Sequence, residues 1–209
     1  MRLEAVNLTC RRNGRQLFSG LSFALGPGEA VWVDGPNGSG KTSLLRILCG
    51  LAEPDGGEVR WGGNRIRSAR FEFRNDIAYV AHAHGIKEEL TPCENLRIAQ
   101  AFGPAEPGRG AIDRALDHVG LGRLADVPAR MLSAGQKRLV ALARLRVRRA
   151  RLWVLDEPFT ALDKRAVAIV EAMLAAHTAA GGLLVLTTHR AARIEGARLA
   201  RLRLAPGEA

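Results

Sequence analysis

Runs of apolar residues separated by turn residues divide this chain into short strands and longer helices. Apolar and polar residues partly alternate from Leu17 to Leu25, which predicts a half-buried strand. The run Leu183 to Leu186 is wholly apolar and predicts a strand that is buried on both faces. Turn residues separate the runs, as at Arg11 to Gly14 and Glu53 to Gly57. The predicted strands cover residues 3–8, 17–25, 30–34, 58–61, 77–81, 151–155, 183–187 and 199–204, the last as an edge strand.

Strand signals disappear between His82 and Arg149, where apolar residues recur at helical spacing. The start of one helix is marked by Thr91, Pro92 and Glu94. Thr is a good N-cap, Pro fits the first position of a helix, and a Glu at the third position can accept a hydrogen bond from the N–H of the cap residue. The other features of this kind are a loop from Gly103 to Gly110, a helix with Ile112, Leu116 and Val119, a long basic helix starting at Ser133, and a later helix capped by Asp163.

A glycine-rich segment lies between the predicted strand of residues 30–34 and a predicted helix, Ser43 to Cys49. It fits the pattern Gly-x-x-x-x-Gly-Lys-Ser/Thr of the phosphate-binding loop, and strand, loop and helix are the context that this motif requires. Its glycines let successive N–H groups point at one anion, and the helix start adds unpaired donors. The predicted nucleotide-binding residues are Gly35, Pro36, Asn37, Gly38, Ser39, Gly40, Lys41, Thr42 and Ser43.

Two side chains of this loop have separate predicted roles. Lys41 is a mobile positive charge that can reach the β- and γ-phosphates, and we count it as catalytic. The Thr42 hydroxyl can take one position on Mg²⁺, which keeps several waters and needs few protein ligands.

With this loop, the element order predicts an α/β fold: a P-loop NTPase core with a mostly parallel sheet, flanking helices and a small antiparallel part. We expect one domain over residues 1–209, with a core of 1–82 and 150–209 and an inserted α-helical subdomain at 83–149.

A second motif, Leu152 to Glu157, has the form of a Walker B strand. A carboxylate such as Asp156, at the end of a core strand beside a phosphate-binding loop, can hold Mg²⁺ directly or through water. Glu157 comes next and is placed to polarise the water that attacks ATP. The alternative is a plain strand-to-turn boundary, which the phosphate-binding loop makes the weaker interpretation.

The basic helix begins with a possible second anion site. Ser133 is a good N-cap, and small residues after it leave backbone N–H groups uncovered. Two phosphate-binding ends in one chain suggest that one of them serves a second copy, although a simple helix cap explains the same residues. The segment consists of Leu132, Ser133, Ala134, Gly135 and Gln136.

Composition limits the remaining classes of function. The net charge is +10 with a pI near 10.8, which fits nucleic-acid binding, an anionic membrane face or a bias toward arginine. The arginines are scattered through all segments and form no basic stripe interleaved with aromatic residues. We therefore favour a compositional bias toward arginine, with a location beside a membrane, over nucleic-acid binding. The three cysteines are widely spaced and have the character of buried hydrophobes rather than disulfides or zinc ligands. Neither a signal peptide nor a run as long as a membrane span is visible, so we expect a cytosolic or peripheral protein.

The motifs together resemble those of ABC-type ATPases. The phosphate-binding loop, the 132–136 segment, Asp156-Glu157, Ala161-Leu162-Asp163 and His189 occur in the order of that family and cover nearly the whole chain. The resemblance implies that two copies pair head to tail, with each ATP between one phosphate-binding loop and the partner's Ser133. It further implies that Asp163 couples the two sites and that His189 senses the γ-phosphate and orients the catalytic site.

A closer resemblance is to one subfamily, the ATP-binding subunit of the cytochrome c maturation (haem exporter) complex. It rests on the segments 17–23, 35–46, 85–87, 90–91, 94–96, 132–136, 140–145 and 155–161, including Phe159 and the alanine at position 134. The resemblance implies a membrane-spanning partner subunit and hydrolysis linked to release of a haem-loaded periplasmic chaperone. It implies a peripheral location on the cytoplasmic face of the bacterial inner membrane. The chain lacks Cys-x-x-Cys-His, so we expect no direct haem binding.

Two positions depart from the wider family. His82 stands where most ABC-type ATPases have Gln, and the subfamily accepts His there; a ring nitrogen can still reach Mg²⁺ or the water, and we assign His82 to coupling as well. His82 and His84 also have the spacing of zinc ligands, but two histidines are too few for a zinc site. Arg12 stands nearest the position of the aromatic residue that stacks on adenine, and a guanidinium can stack on a base. We expect residues 82–96 to form the surface that docks on the membrane partner.

Two other classes of function compete with a transport ATPase. A soluble ABC-type ATPase acting on nucleic acid or ribosomes would use the positive charge, but the tandem cassettes or long coiled-coil insertions that it predicts are missing. A kinase or GTPase is disfavoured by the 132–136 segment and His189, and no Asn-Lys-x-Asp string for guanine recognition is visible. We therefore expect no nucleic-acid partner.

Overall fold

Two β-sheets organise the chain in a computed structural model that describes residues 1–101, 110–190 and 194–205. The strands are β1 Leu3–Arg12, β2 Arg15–Leu25, β3 Glu29–Asp34, β4 Gly56–Trp61, β5 Asn64–Arg65, β6 Ile77–Val80, β7 Leu152–Asp156, β8 Leu183–Thr187 and β9 Arg198–Arg203. The helices are α1 Lys41–Leu48, α2 Arg70–Asp76, α3 Pro92–Ala101, α4 Ala111–His118, α5 Ala134–Arg148 and α6 Lys164–Ala179, with short 3₁₀ helices at Gly122–Leu124 and Ala129–Met131.

The larger sheet has five strands in the order β6-β7-β8-β3-β9, and all four pairings are parallel. Every residue of β7 and β8 is buried, as their nearly continuous apolar sequences predict for inner strands of a parallel sheet. The tail strand β9 lies at one edge, as predicted. Because the strands are parallel, their carboxyl ends meet at one edge of the sheet, where Asp156 of β7 is paired in register with Thr187 of β8.

The smaller sheet is antiparallel, with the order β2-β1-β4-β5. Its first hairpin is longer than expected: Arg11 and Arg12, predicted to lie in the turn, extend β1 instead, and Arg12 pairs with Arg15. The turn is the pair Asn13-Gly14, whose φ angles are 51° and 76°. A two-residue hairpin turn of this kind needs positive φ at both central positions, which Asn and Gly adopt readily, so the strands pair up to the turn.

Helices occupy the chain between β6 and β7, and its described residues contain no strand. Helix α3 begins with the predicted cap: the Glu94 N–H donates to Thr91 Oγ1 at 3.2 Å, and the Thr91 N–H donates to Glu94 Oε2 at 2.8 Å. Both α3 and α4 contact α5, which is therefore the central helix of this region. The loop predicted from Gly103 to Gly110 lies outside the described residues, apart from Gly110.

Helix α2 has no counterpart among the predicted elements. It has only seven residues, and its two phenylalanines stand two positions apart, which is strand rather than helix spacing. Phe73 is buried and packs on Trp61 with ring centroids 5.9 Å apart, whereas the Phe71 side chain is 78% exposed. One buried side chain in so short a helix leaves no periodic signal in the sequence.

The core lies on both faces of the larger sheet. On one face Leu152, Val154 and Val185 pack with α1 and the antiparallel sheet. On the other face Trp153 and Leu184 pack with α5 and α6. The three cysteines are free and buried, as predicted. Among the described residues, no helix is long and apolar enough to cross a membrane.

Candidate nucleotide-binding site

An open cleft lies at the carboxyl edge of the parallel sheet. Segments that follow three neighbouring strands, β3, β7 and β8, meet there, joined by the end of β6 and the tip of the antiparallel sheet. Its lining consists of Arg12, Leu17, Asn37, Gly38, Gly40, Lys41, Thr42, Ser43, His82, Asp156, Glu157 and His189. The cleft thus brings together the predicted phosphate-binding loop, both predicted carboxylates and the predicted sensor histidine.

The phosphate-binding loop is held against its surroundings by close backbone packing. A Cβ on Gly35 would lie 2.7 Å from the Leu204 carbonyl oxygen and 2.7 Å from Ser39 Oγ, so no larger residue fits. Gly40 precedes α1 with a φ of 94°, and no side chain caps the helix start. The first N–H groups of α1 are therefore available to a ligand, as the sequence predicted.

Two polar side chains of the loop indicate what the loop can hold. Lys41 Nζ donates to the carbonyls of Gly35 and Pro36, at 2.7 and 3.1 Å, which keeps its positive charge over the loop. Ser39 Oγ is buried and has no hydrogen-bond partner among the described residues. Buried hydroxyls are nearly always paired, so an unpaired one in an anion-binding loop fits a phosphate oxygen as its missing partner.

Asp156 is buried at the end of β7 and ties two other elements to that strand. Its Oδ2 accepts a hydrogen bond from Thr42 Oγ1 at 2.8 Å, and its Oδ1 accepts one from Thr187 Oγ1 at 2.7 Å. Carboxylate and hydroxyl oxygens are the ligand types that Mg²⁺ prefers. The described residues contain no group of three or more His, Cys, Asp or Glu side chains that could hold a metal ion. Because Mg²⁺ keeps several waters and needs few protein ligands, the Thr42–Asp156 pair fits it.

Glu157 is held in an unusual backbone conformation. Its φ is 51°, in the left-handed region that a non-glycine residue seldom adopts, and its N–H donates to Thr187 Oγ1 at 3.0 Å and to the Thr187 carbonyl at 3.2 Å. The carboxylate is 14% exposed and reaches His189, whose N–H donates to Oε2 at 3.3 Å and whose Nε2 lies 3.4 Å from Oε1. A strained residue at a cleft is typical of a functional position.

The remaining lining residues come from the rims of the cleft. His82 follows β6 and is exposed. Arg12 lies at the end of β1, where its Nη1 donates to the Arg11 carbonyl at 2.8 Å and lies 3.9 Å from Asp55 Oδ2. The side of the cleft formed by the antiparallel sheet thus offers a guanidinium and Leu17 to a flat group beyond the phosphates.

The 132–136 segment and Asp163 do not line this cleft. Ser133 caps α5 reciprocally: its Oγ accepts from the Gln136 N–H at 3.2 Å, and its N–H donates to Gln136 Oε1 at 2.8 Å. A Cβ on Gly135 would lie 2.5 Å from the Ala161 carbonyl, so this segment packs on the loop before α6. Asp163 caps α6 through Oδ1, which accepts from the Ala166 N–H at 2.7 Å. Ser133 and Asp163 are both exposed, as residues of a contact surface would be.

Sequence reasoning missed two side chains that hold the cleft together. Thr187 binds both Asp156 and the Glu157 backbone, and its only signal was a polar residue ending an apolar strand. Arg138 is buried in α5 and donates to the Asp156 carbonyl at 2.5 Å, but in the sequence it is one of many arginines in a basic helix.

Three comparisons place the chain among known proteins. A family model described as "ABC transporter" matches residues 18–160. A relative from Nitrosospira multiformis, "Cytochrome c biogenesis ATP-binding export protein CcmA", is 49% identical over 202 residues, which cover 97% of this chain and 98% of the relative. The "Cytochrome c biogenesis ATP-binding export protein CcmA 2" of Salmonella paratyphi A is 51% identical over 208 residues, covering 99% and 98% of the two chains.

Solved structures share the fold. One described as the structure of the ATP-binding subunit of an ABC transporter has a TM-score of 0.85 at 25% identity and covers 98% of this chain and 88% of its own. An ATP-binding cassette solved as a dimer in a post-hydrolysis state, bound to ADP and phosphate, has a TM-score of 0.82 at 24% identity, with 99% and 97% covered. The predicted α/β fold with a P-loop NTPase core is thereby confirmed.

Proposed function

The chain belongs to the ABC transporter family, as an ATP-binding and ATP-hydrolysing subunit, and we propose that it drives a membrane complex of cytochrome c biogenesis. The cytochrome c assignment rests on relatives about half identical over nearly the full length of both chains. The hydrolytic assignment rests on one structural observation above all. A continuous hydrogen-bonded chain joins Thr42, Asp156, Thr187, Glu157 and His189 at the carboxyl edge of the parallel sheet.

The residues that line the cleft have roles that their contacts and positions support. The phosphate-binding loop and Lys41 bind the phosphates of ATP and balance their negative charge. Glu157 polarises the attacking water, because its carboxylate opens to the cleft. His189 contacts both oxygens of Glu157 and lies at the cleft, so it can report the γ-phosphate to that carboxylate. Arg12 provides a flat cation for the adenine base.

Thr42 and Asp156 are the protein groups that would hold Mg²⁺, with His82 on the rim as a further candidate. Mg²⁺ would offset negative charge on the phosphate oxygens when it is bound. The Thr42–Asp156 hydrogen bond keeps both oxygens together before ligand binding, so little rearrangement is needed.

A second copy of the chain completes each site in this proposal. Ser133 is exposed, caps α5 and does not line the cleft of its own chain. The backbone N–H groups at the start of α5 have no acceptor within the helix, so they are available to a partner's ATP. The close packing of Gly135 on the Ala161 carbonyl places this segment against the loop that leads to Asp163. A head-to-tail pair would use Ser133 for the partner's γ-phosphate and Asp163, with His82, for coupling between the two sites.

The membrane partner docks on residues 82–96 in this proposal. Arg144 supports the start of that surface by donating to the carbonyls of His84, at 3.2 Å, and Gly85, at 2.6 Å. Buried Asn95 supports the middle, with its Nδ2 donating to the carbonyls of Lys87 and Thr91, both at 3.0 Å. The surface therefore has a fixed backbone with exposed charged side chains, as a docking site needs.

The same contacts argue against a nucleic-acid partner. Arg138, Arg144 and Arg148 of the basic helix all donate to backbone carbonyls of neighbouring segments. Part of the charge of this helix is thus used to hold neighbouring segments of the fold. We propose a peripheral location on the cytoplasmic face of the inner membrane, with no direct contact with haem or nucleic acid.

Capture from membranes tests the proposed function. The tagged chain, expressed from its own locus, is expected to co-purify from solubilised membranes with a membrane-spanning subunit, and its deletion is expected to remove haem-stained c-type cytochromes. Glu89→Arg reverses an exposed charge on the docking surface. We expect it to reduce the amount of captured membrane subunit at least about 5-fold, because a reversed charge at an interface repels its partner. Arg203→Glu, an exposed charge reversal on edge strand β9, is the matched control.

The outcomes separate the candidate functions. Normal cytochromes after deletion would remove the assignment to cytochrome c biogenesis. Recovery of the chain with nucleic acid instead of a membrane protein, lost on raising the salt concentration, would favour the soluble ABC-type ATPase.

A further inference from the structure

Arg138 is the feature of the fold that the proposed mechanism leaves unexplained. Its side chain is only 1% exposed, although it carries the charge of a guanidinium. Nη1 donates to the Ala81 carbonyl at 2.7 Å, Nη2 donates to the Asp156 carbonyl at 2.5 Å, and Nε points to the Pro158 carbonyl at 3.4 Å. Burial costs a charged group its hydration, so a buried charge needs hydrogen-bond partners that compensate for that cost. The three backbone carbonyls are those partners for Arg138.

The contact with Asp156 acts on the peptide unit that precedes Glu157. Arg138 holds the carbonyl of that peptide, and Thr187 holds its N–H at 3.0 and 3.2 Å. The two side chains thus fix both polar ends of one peptide plane. A left-handed φ of 51° is unfavourable for a glutamate and persists only where neighbouring groups over-determine it. Arg138 and Thr187 are the groups that do so.

The other contacts of Arg138 join this peptide to two more parts of the site. The Ala81 carbonyl directly precedes His82, which lines the cleft. Arg138 itself lies in the second turn of α5, whose N-cap is Ser133. One side chain therefore links the end of β6, the end of β7 and the helix start that is proposed to meet the partner's ATP.

The charge of Arg138 is also stabilised in place. Burial lowers the pKa of Arg138, whereas the nearby carboxylates of Asp156 and Glu157 favour its charged form. Arginine remains protonated in proteins, so the buried group is a cation. Its three nitrogens are held in a rigid plane and each faces a different carbonyl, whereas a lysine has one nitrogen on a flexible stem and cannot reach all three.

We propose that Arg138 is a positioning residue for ATP hydrolysis, which holds the Asp156–Glu157 peptide so that the Glu157 carboxylate faces the cleft. This inference rests on the proposed role of Glu157. Arg138 does not line the cleft, so it acts through Glu157 and not on the nucleotide.

The test compares Arg138→Lys with wild type in the complex captured with its membrane subunit. The lysine keeps the charge but loses the fork, so we expect kcat to fall at least about 10-fold, as expected for a misplaced catalytic group. KM and nucleotide affinity should change less than about 2-fold, because the phosphate-binding loop is untouched. Arg148→Lys is the matched control, since Arg148 lies on the same helix and donates to the Arg74 carbonyl at 3.2 Å, and neither Arg148 nor Arg74 lines the cleft. It should leave kcat unchanged.

A second background separates positioning from general damage to the fold. In the Glu157→Gln chain, adding Arg138→Lys should cause no further loss of single-turnover hydrolysis, because residues that act through one another are not additive. A further loss equal to that in the wild-type background would overturn the proposal, as would a normal kcat in the single variant. If Arg138→Lys unfolds, Arg138→Gln is the second variant, because an uncharged side chain needs no compensation for a buried charge, and a normal kcat in it would equally overturn the proposal. Absence of hydrolysis in the wild-type complex would instead contradict the proposed function itself.

Discussion

Replacing Glu157 by glutamine is expected to lower kcat by about 10²–10⁴-fold, the usual contribution of a general acid–base group, while ATP still binds. The glutamine has the same shape and can keep the contact with the His189 N–H, which lies 3.3 Å from Oε2. It cannot accept a proton from water, so the chemical step alone is affected. The phosphate-binding loop and the Thr42–Asp156 pair hold the nucleotide without Glu157.

The measurement is phosphate release by the membrane-derived complex, together with the affinity for a fluorescent ATP analogue. Glu72→Gln is the control, because Glu72 is an exposed carboxylate on α2 and does not line the cleft. Near-normal turnover of the Glu157→Gln chain would remove Glu157 from its assigned role. A parallel loss of ATP affinity would show that the substitution acts on binding rather than on hydrolysis.

Replacing Ser133 by aspartate is expected to lower hydrolysis at least about 10²-fold, because a carboxylate would repel the partner's γ-phosphate. The loss of one hydrogen-bond donor to the charge that develops in a transition state has an effect of this size. Aspartate caps a helix as well as serine does, so α5 should stay intact, with Gln136 still donating to the cap. Ser133 does not line the cleft of its own chain. The affinity of a single chain for ATP should therefore stay at the wild-type value.

Ser133→Asn is the matched control for charge, since asparagine is an equally good cap without the negative charge. We expect it to retain more hydrolysis than the aspartate variant. The measurements are hydrolysis by the complex, ATP affinity of the isolated chain and thermal unfolding. Reduced ATP affinity in the isolated Ser133→Asp chain would mean that Ser133 serves its own site, and unchanged hydrolysis would mean that it serves none.

Much of the site was predictable because its motifs are local. The phosphate-binding loop is recognised from eight consecutive residues between an apolar strand and a helix, and Asp156 and Glu157 from the end of another apolar strand. The cap at Ser133 depends on Gln136, three residues away, and is equally local. Short-range spacing fixes such features whatever the rest of the fold does.

The parts that were missed depend on contacts between distant segments. Thr187 acts because parallel pairing places it beside Asp156, 31 positions earlier. Arg138 acts because α5 packs so that a guanidinium reaches the ends of β6 and β7. Strand order and helix packing decide both, and neither leaves a periodic trace in the sequence. Helix α2 was missed for the opposite reason, since its seven residues bury too little to show a period.

The positive charge has a second explanation in the fold. In the sequence, a net charge of +10 fitted nucleic-acid binding, an anionic membrane face or a bias toward arginine, and bias with a membrane-side location was favoured. In the fold, the Arg138 and Arg144 side chains are largely buried and donate to backbone carbonyls, so part of this charge holds loops in place. Hydrogen bonds from a charged donor to a carbonyl are stronger than those from a neutral donor. These arginines therefore have a structural role that does not require an anionic partner.

The central claim is that each ATP site combines the phosphate-binding loop of one chain with Ser133 of another, and paired chains carrying two different tags test it. In the first pair, one copy carries Lys41→Ala and the other Ser133→Asp; in the second, one copy carries both changes and the other is wild type. A composite site predicts single-turnover hydrolysis by the first pair, which keeps one intact site, and none by the second. Hydrolysis by the second pair and none by the first would contradict the account, because it would place the whole site within one chain.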